Sequence, residues 1–332
     1  MRLIEPTFLS TKSQKKSHPT KLSTMKNYFN FTLTGKKFLP VWLLFLVFFI
    51  LPYAAMIKTL GHPNPGEPPS LLILPLFLLL IIVAFVITFY IAKLTIVNIA
   101  YKEKTVAFSG SFGKYTGIFL LGIFLSIITL GIYIPWFIRN IHRFLINNSS
   151  YESTPFNFLG KGGKLFLIFL LSAIIPMIAL SVIMFNYMAF IINQFSIEKF
   201  VFQLIYMLIM IPYMYLFYRW LVNVSYKNYI ISWETSFWPS CGKIAVEILL
   251  TAITLGIYYP LAMVRLYKYF ADRTTATAEG VRRSFGYDIE PLHDFLFIWG
   301  QVLLSIITLG IYYPWAYYKI GRRILSKTYL EQ

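Results

Sequence analysis

Hydrophobic positions run through this chain in long blocks separated by short polar stretches. Seven apolar segments can be drawn, at 38–57, 71–97, 115–136, 165–192, 200–224, 244–261 and 295–315. The second, fourth and fifth exceed the ~20 residues a helix needs to cross a bilayer core. Pro75, Pro176 and Pro212 fall inside these runs. Each would break a soluble helix, but membrane helices accommodate proline as a kink when neighbours satisfy the freed carbonyls. The pattern predicts an all-α polytopic membrane protein. Residues 1–37 stand apart: they are polar and basic, contain no apolar signal-peptide core, and read as a mostly disordered cytoplasmic tail.

The apolar blocks are repetitive. Thr129-Leu130-Gly131-Ile132-Tyr133-Ile134-Pro135 returns as Thr254-Leu255-Gly256-Ile257-Tyr258-Tyr259-Pro260 and as Thr308-Leu309-Gly310-Ile311-Tyr312-Tyr313-Pro314. A second signal, Phe31-x-x-x-Gly35, returns as Phe156-x-x-x-Gly160, and both signals recur at an offset of 125 residues. The expected organisation is therefore the tail (1–37), two three-segment membrane repeats (38–146 and 147–271) and a partial C-terminal repeat (272–332). The glycines lie four residues before the prolines, where a proline ring would clash with a helix carbonyl; glycine there is expected to ease a sharp helix bend.

These motifs, with the basic residues after each Pro-Trp, resemble the YjgN-like family of bacterial inner-membrane proteins over about residues 29–325. Leu261, where the other copies have Trp136 and Trp315, departs from the pattern. The family is of unknown function, so the resemblance implies a bacterial cytoplasmic-membrane location and a fold, and supplies no catalytic residues.

Composition narrows the class further. Hydrophobic residues make up 58% of the chain and charged residues 13%, with a mean hydropathy of +0.65. Soluble domains carry about 25% charged residues and cover themselves with polar groups. The single Cys241 excludes a disulfide scaffold. The net charge of +17 suggests nucleic acid at first sight, but the cations sit between apolar runs instead of on one soluble face, so nucleic acid is excluded as a partner.

The cations also bear on topology. If all seven segments span, Lys and Arg divide 18 to 12 between the two sides; if the three motif-bearing segments enter and leave on one side, they divide 28 to 2. Cytoplasmic loops carry the excess of Lys and Arg. The second arrangement is favoured, with a cytoplasmic N-terminus, two spanning hairpins and three re-entrant segments.

Aligning the motif threonines places Gly122, Ser126 and Thr129, then Glu247, Thr251 and Thr254, then Gln301, Ser305 and Thr308, each set on one helix face. Small and hydroxyl residues are the usual packing groups between membrane helices. The sharper reading is a solute or ion path along this stripe. Glu247 supports it as the one carboxylate deep in an apolar segment, although Lys243 four residues earlier offers an ordinary ion pair. Gln301 is a candidate partner for Glu247 across the repeat interface. Arg143, Lys268 and Arg322 recur fourteen residues after the threonines; they suit anionic lipid headgroups or an anionic substrate.

Enzyme signals are absent. His18, His62, His142 and His293 form no metal-ligand pair, and no catalytic motif occurs. No catalytic residue, metal or cofactor is expected. The expected partners are the lipid bilayer, its anionic headgroups and, in a homo-oligomer, further copies of the chain. The leading functional expectation is passage of a solute or ion at the repeat interface; the alternative is a non-transporting membrane scaffold or lipid-organising protein.

Overall fold

A computed structural model describes residues 25–60, 73–188 and 197–331. The first 24 residues of the expected tail, with His18, lie outside these, as do His62 and positions 71–72 and 189–192 of the apolar segments.

The described chain is not all-α. Eleven strands join one antiparallel sheet: β1 (Lys26–Phe31), β2 (Ile99–Tyr101), β3 (Lys104–Thr105), β4 (Ala107–Phe108), β5 (Ser149–Tyr151), β6 (Thr154–Phe158), β7 (Val224–Tyr226), β8 (Tyr229–Trp233), β9 (Thr274–Ala278), β10 (Val281–Tyr287) and β11 (Thr328–Glu331). Their order is β3-β2-β1-β11-β10-β9-β8-β7-β6-β5-β4. The two ends of that order, β3 and β4, are separated by Val106 alone, whose N–H donates to the Ile99 carbonyl at 2.9 Å. The sheet therefore curls into a nearly closed barrel. Two-residue turns connect many of its strands, with positive φ at Lys102 and Glu103 and at Glu152 and Ser153, the geometry that matches strand twist in tight hairpins.

These strands overturn the expected all-α fold with seven apolar segments in two three-segment repeats. They are short, aromatic and hydroxyl-rich, and they lie between apolar blocks, so a hydropathy reading takes them for loops. Among the described residues, four helices are long and apolar enough to cross a membrane: Gly35–Lys58, Pro75–Val97, Gly162–Ile183 and Val201–Leu221.

Helices enter the barrel as five hairpins. The first comprises α1 (Gly35–Phe45) and α2 (Leu51–Leu60), joined by a π-helical turn at Leu46–Ile50, and α3 (Ile73–Val97). The second is α4 (Phe112–Ile128) and α5 (Ile134–Asn147). The third is α6 (Gly162–Phe169) and α7 (Ile175–Met188), again joined by a π-helical turn at Leu170–Ile174, with α8 (Ile197–Ile209) and α9 (Ile211–Leu221). The fourth is α10 (Phe237–Ile253) and α11 (Tyr259–Ala271), and the fifth α12 (Pro291–Ile307) and α13 (Tyr313–Leu325). Both π turns end two residues before a proline, Pro52 and Pro176. The wider turn accommodates the ring and the missing N–H without ending the helix. Pro212 instead stands at the start of α9, where its absent donor costs nothing.

Each hairpin leaves the barrel from one strand and returns through another, and neighbouring strands are antiparallel throughout. All five hairpins thus rise from one rim, and the two-residue turns occupy the opposite rim. Five hydrophobic clusters fill the seams between successive hairpins. Phe85, Phe89, Tyr115 and Phe144 join the first to the second; Phe158, Leu165, Ile168 and Trp220 join the second to the third. Ile211, Tyr215, Trp233 and Ile244 fill the next seam, and Val264, Ala271, Tyr287 and Ile298 the fourth. Phe31, Leu33 and Phe38 pack on Tyr317 and Leu325 and close the ring from the fifth hairpin to the first. Phe31, Phe158, Trp233 and Tyr287 are all strand-end aromatics four residues before a helix start. By this register Phe31-x-x-x-Gly35 corresponds to Phe158-x-x-x-Gly162, two residues beyond the match read from sequence.

Candidate functional site

The three Thr-Leu-Gly-Ile-Tyr motifs are not bends in continuous helices. Each is the reversal between the two helices of a short hairpin. Leu130 and Gly131 adopt φ of +49° and +88°, Leu255 and Gly256 +50° and +87°, and Leu309 and Gly310 +50° and +85°. A Cβ on Gly256 would meet nothing within 4 Å, so glycine serves conformation there, not space. The proline that follows occupies the first turn of the next helix, where it displaces no hydrogen bond.

The small and polar stripe is largely satisfied within its own helices. Ser126, Thr129, Thr251, Thr254, Ser305 and Thr308 each donate a hydroxyl to the carbonyl four residues earlier, at 2.7–2.8 Å. The three motif threonines also accept the N–H of Tyr133, Tyr258 and Tyr312, each at 3.0 Å. One hydroxyl thus caps the end of one helix and the start of the next.

Glu247 is 1% exposed. One of its oxygens pairs with the Lys243 ammonium one turn earlier. Its Oε2 is buried with no hydrogen-bond partner. The Tyr258 hydroxyl lies within electrostatic reach of this carboxylate, and Arg265 donates to that hydroxyl at 2.6 Å. The fifth hairpin repeats the arrangement in neutral form: Tyr312 donates to Gln301 Oε1 at 2.9 Å, and Lys319 donates to Tyr312 at 2.8 Å. In the second hairpin, Asn140 donates to Tyr133 at 3.2 Å, while Phe137 fills the space beside Gly122. Glu247 and Gln301 therefore have separate partners, each inside its own hairpin. Asn140 and the pairing of Tyr133, Tyr258 and Tyr312 with their partners escaped the sequence reading, which took Arg265 and Lys319 only as part of the basic cluster after each proline. Stepping forward from each threonine by four and eleven residues, as well as backward, would have found them.

The three recurring cations differ in surroundings. Lys268 pairs with Asp272 at 2.9 Å and donates to the Tyr287 carbonyl at 3.0 Å. Arg143 and Arg322 are exposed, and no carboxylate pairs with either among the described residues. Another charge cluster, unread in the sequence, ties the base of the fifth hairpin together. The fully buried Asp294 receives Arg323 and Lys327, both at 2.8 Å, and both cations also reach Glu290. Burial pushes the Asp294 carboxyl up, but the hydrogen bonds from Lys327, the Glu290 backbone and Arg323 hold it below its ordinary value.

Two grooves open on the short hairpins. One of about 750 Å³ runs along the fifth, lined by Met263, Ile298, Val302, Tyr313, Tyr317 and Ile324 among others; of the stripe it touches only Ser305. A smaller apolar one on the second hairpin touches Ser126. Neither includes Glu247, Thr251 or Thr254. Among the described residues no three His, Cys, Asp or Glu side chains gather as metal ligands.

Comparison with known proteins adds one relationship. No curated protein and no solved structure matches the chain. The pattern of a family described as bacterial protein of unknown function (DUF898), of which YjgN is a member, matches residues 21–287, from the first strand through the fourth hairpin to the end of β10. The chain belongs to the bacterial family DUF898.

Proposed function

We propose that the chain is a multi-pass protein of the bacterial cytoplasmic membrane that passes protons or another small ion at the interface between its repeats, with Glu247 of the fourth hairpin as the carrier. The membrane part rests on the four long apolar helices and on the apolar side chains they expose, such as Leu51, Ile82, Leu171 and Val182. The rim opposite the hairpins carries Lys102, Lys104, Lys227, Arg282 and Arg283. The cytoplasmic excess of Lys and Arg supports a barrel on the cytoplasmic side. A reporter fused after Gln332 should be active only as a cytoplasmic fusion; an extracytoplasmic signal would reverse the orientation.

Glu247 carries the functional part. A carboxylate buried within an apolar segment, between Lys243 and the Tyr258–Arg265 pair, can take up and release a proton there. Conversion of Glu247 to Gln keeps size and hydrogen-bonding capacity and removes only the charge. In vesicles loaded with a pH-reporting dye and placed under an imposed potential, the wild-type protein should admit protons and Glu247→Gln should not, at equal thermal stability in detergent. Wild-type flux no greater than that of empty vesicles, or flux unchanged in the variant, would reject the proposal.

A non-transporting scaffold is the second reading. It is favoured by the stripe hydroxyls, which are spent on their own helix carbonyls, and by Arg143 and Arg322, which are free to hold anionic headgroups. The same vesicles discriminate, since a scaffold passes nothing.

A further inference from the structure

The three motif turns share a property that a turn at a water surface does not need. In the second hairpin, Leu130 N–H donates to Ile127 at 3.1 Å, Gly131 to Ser126 at 2.7 Å, Ile132 to Thr129 at 3.0 Å and Ile134 to Gly131 at 3.1 Å. Tyr133 N–H goes to the Thr129 hydroxyl at 3.0 Å. Pro135 has no N–H, and Trp136 and Phe137 both donate to the Tyr133 carbonyl. No backbone donor of the reversal is left for water. The same pairings recur, residue for residue, at Leu255–Tyr259 and at Leu309–Tyr313. Neighbouring hairpins even supply indole donors to turn carbonyls, Trp299 to Ile257 and Trp42 to Gly310, each at 2.8 Å.

The side chains at these turns contrast with a backbone whose donors are all taken. Leu130, Leu255 and Leu309 are 94%, 86% and 87% exposed. Ile127, Ile132, Ile253, Ile257, Ile307 and Ile311 are exposed around them. No charged residue occurs at 125–137, 249–261 or 303–316. In water this arrangement would expose three apolar patches and gain nothing from its internal hydrogen bonds. In hydrocarbon an unmet backbone N–H finds no water to accept it, so a reversal whose donors are all taken suits that medium, and apolar side chains are at no disadvantage there.

Length points the same way. The helices α4, α10 and α12 have 17 residues each, about 25 Å at 1.5 Å per residue. The Gly35–Lys58 helix has 24 residues, about 36 Å on the same rise. A bilayer core is about 30 Å thick. A helix leaving the barrel rim at one interface therefore runs out before it reaches the other.

We infer that the three Thr-Leu-Gly-Ile-Tyr turns lie inside the hydrocarbon of the bilayer, reversing the short hairpins there, with lipid acyl chains as the partner of Leu130, Leu255 and Leu309. The motif is then a helix reversal for lipid in which every backbone donor is met. Threonine supplies the acceptor that water would otherwise provide, glycine the positive φ and leucine the lipid-facing apex, while proline removes a donor that would otherwise need a partner. This inference rests on the membrane reading above, and its test separates the two.

Leu130→Cys, Leu255→Cys and Leu309→Cys are made singly in a Cys241→Ser background. Ser153→Cys in a barrel turn is the aqueous control and Leu79→Cys the control within a long apolar helix. All are placed in lipid nanodiscs, which leave both membrane faces open, and treated with a membrane-impermeant maleimide. The three turn cysteines and Leu79→Cys should react at least tenfold more slowly than Ser153→Cys and reach its rate in SDS. A nitroxide at each turn position should be relaxed by oxygen and not by a water-soluble nickel chelate. Turn cysteines that react at the Ser153→Cys rate while Leu79→Cys stays protected would overturn this inference and leave the membrane reading intact. Reaction of Leu79→Cys as well would remove the membrane reading. Protection from both oxygen and nickel would place the turns against protein and equally overturn the inference.

Discussion

The indole of Trp315 stands where a side chain on Gly35 would begin: an added Cβ would lie 2.7 Å from its Cδ1. Trp136 meets Gly162 in the same way at 2.5 Å. In each case the second helix of a short hairpin plugs the helix start of the next, long hairpin. Where the fourth hairpin has Leu261 instead of tryptophan, the corresponding helix start is Pro291, which leaves no empty Cβ position for an indole. The departure from the repeat is thus matched on both sides of the seam. Gly35→Ala and Gly162→Ala should each lower stability by about 1–3 kcal/mol through overpacking. Thermal unfolding in detergent reads this, and Trp315→Ala should relieve much of the Gly35→Ala loss. Strict additivity of the two would refute the contact.

Gly256 and Thr254 should fail for different reasons. Gly256→Ala forces a Cβ onto φ of +87° and should cost about 1–2 kcal/mol. Thr254→Val keeps the shape and strands the Tyr258 N–H, for about 1–3 kcal/mol. The second loss should shrink for a detergent-solubilised sample in which water reaches the turn. Equal losses in lipid and in loose detergent micelles would count against a water-free turn.

The Tyr312 hydroxyl lies between Gln301 and Lys319, whereas the Tyr133 hydroxyl has Asn140 alone among these partners. Tyr312→Phe should therefore destabilise by about 1–3 kcal/mol, and Tyr133→Phe by about 0.5–1.5 kcal/mol. Paired melting curves decide it. A larger loss at Tyr133 would mean that the relay does not organise the fifth hairpin.

Asp294 makes stability pH-dependent in a definite direction. Its carboxyl is held below the ordinary value of 3.8, so its contribution is fully present above about pH 4 and is lost as pH falls through its lowered value. The melting temperature should be level near neutrality and drop in acid. Asp294→Asn should cost about 2–3 kcal/mol at neutral pH, because it leaves Arg323 and Lys327 short of a partner, and should flatten the acid drop. An unchanged acid drop in the variant would assign it to other carboxylates.

The apolar blocks, the three copies of the motif and the position of Glu247 within an apolar run were legible in the residues alone. The two long hairpins were legible because some twenty apolar residues in a row admit few other readings. The motif was legible because the same φ values and the same threonine acceptor demand the same residues three times. The Lys243–Glu247 pair was legible from a spacing of one helical turn. The strands were not. Two to seven residues each, they close into one sheet only through partners far along the chain, as Lys26 pairs with Glu331, and no local periodicity announces them. The role of the glycines was also hidden, because the same Gly-x-x-x-Pro spacing suits a bent helix and a reversed one, and only the left-handed φ separates them. Tertiary structure alone decided that β1 and β11 meet and that five hairpins rise from one rim. It also decided that Gln301 bonds to Tyr312 within its own hairpin and not to Glu247. Seams between hairpins join residues from some tens of positions apart, as Phe85 and Tyr115, to nearly three hundred, as Phe38 and Tyr317, and which polar groups meet there depends on how the barrel closes.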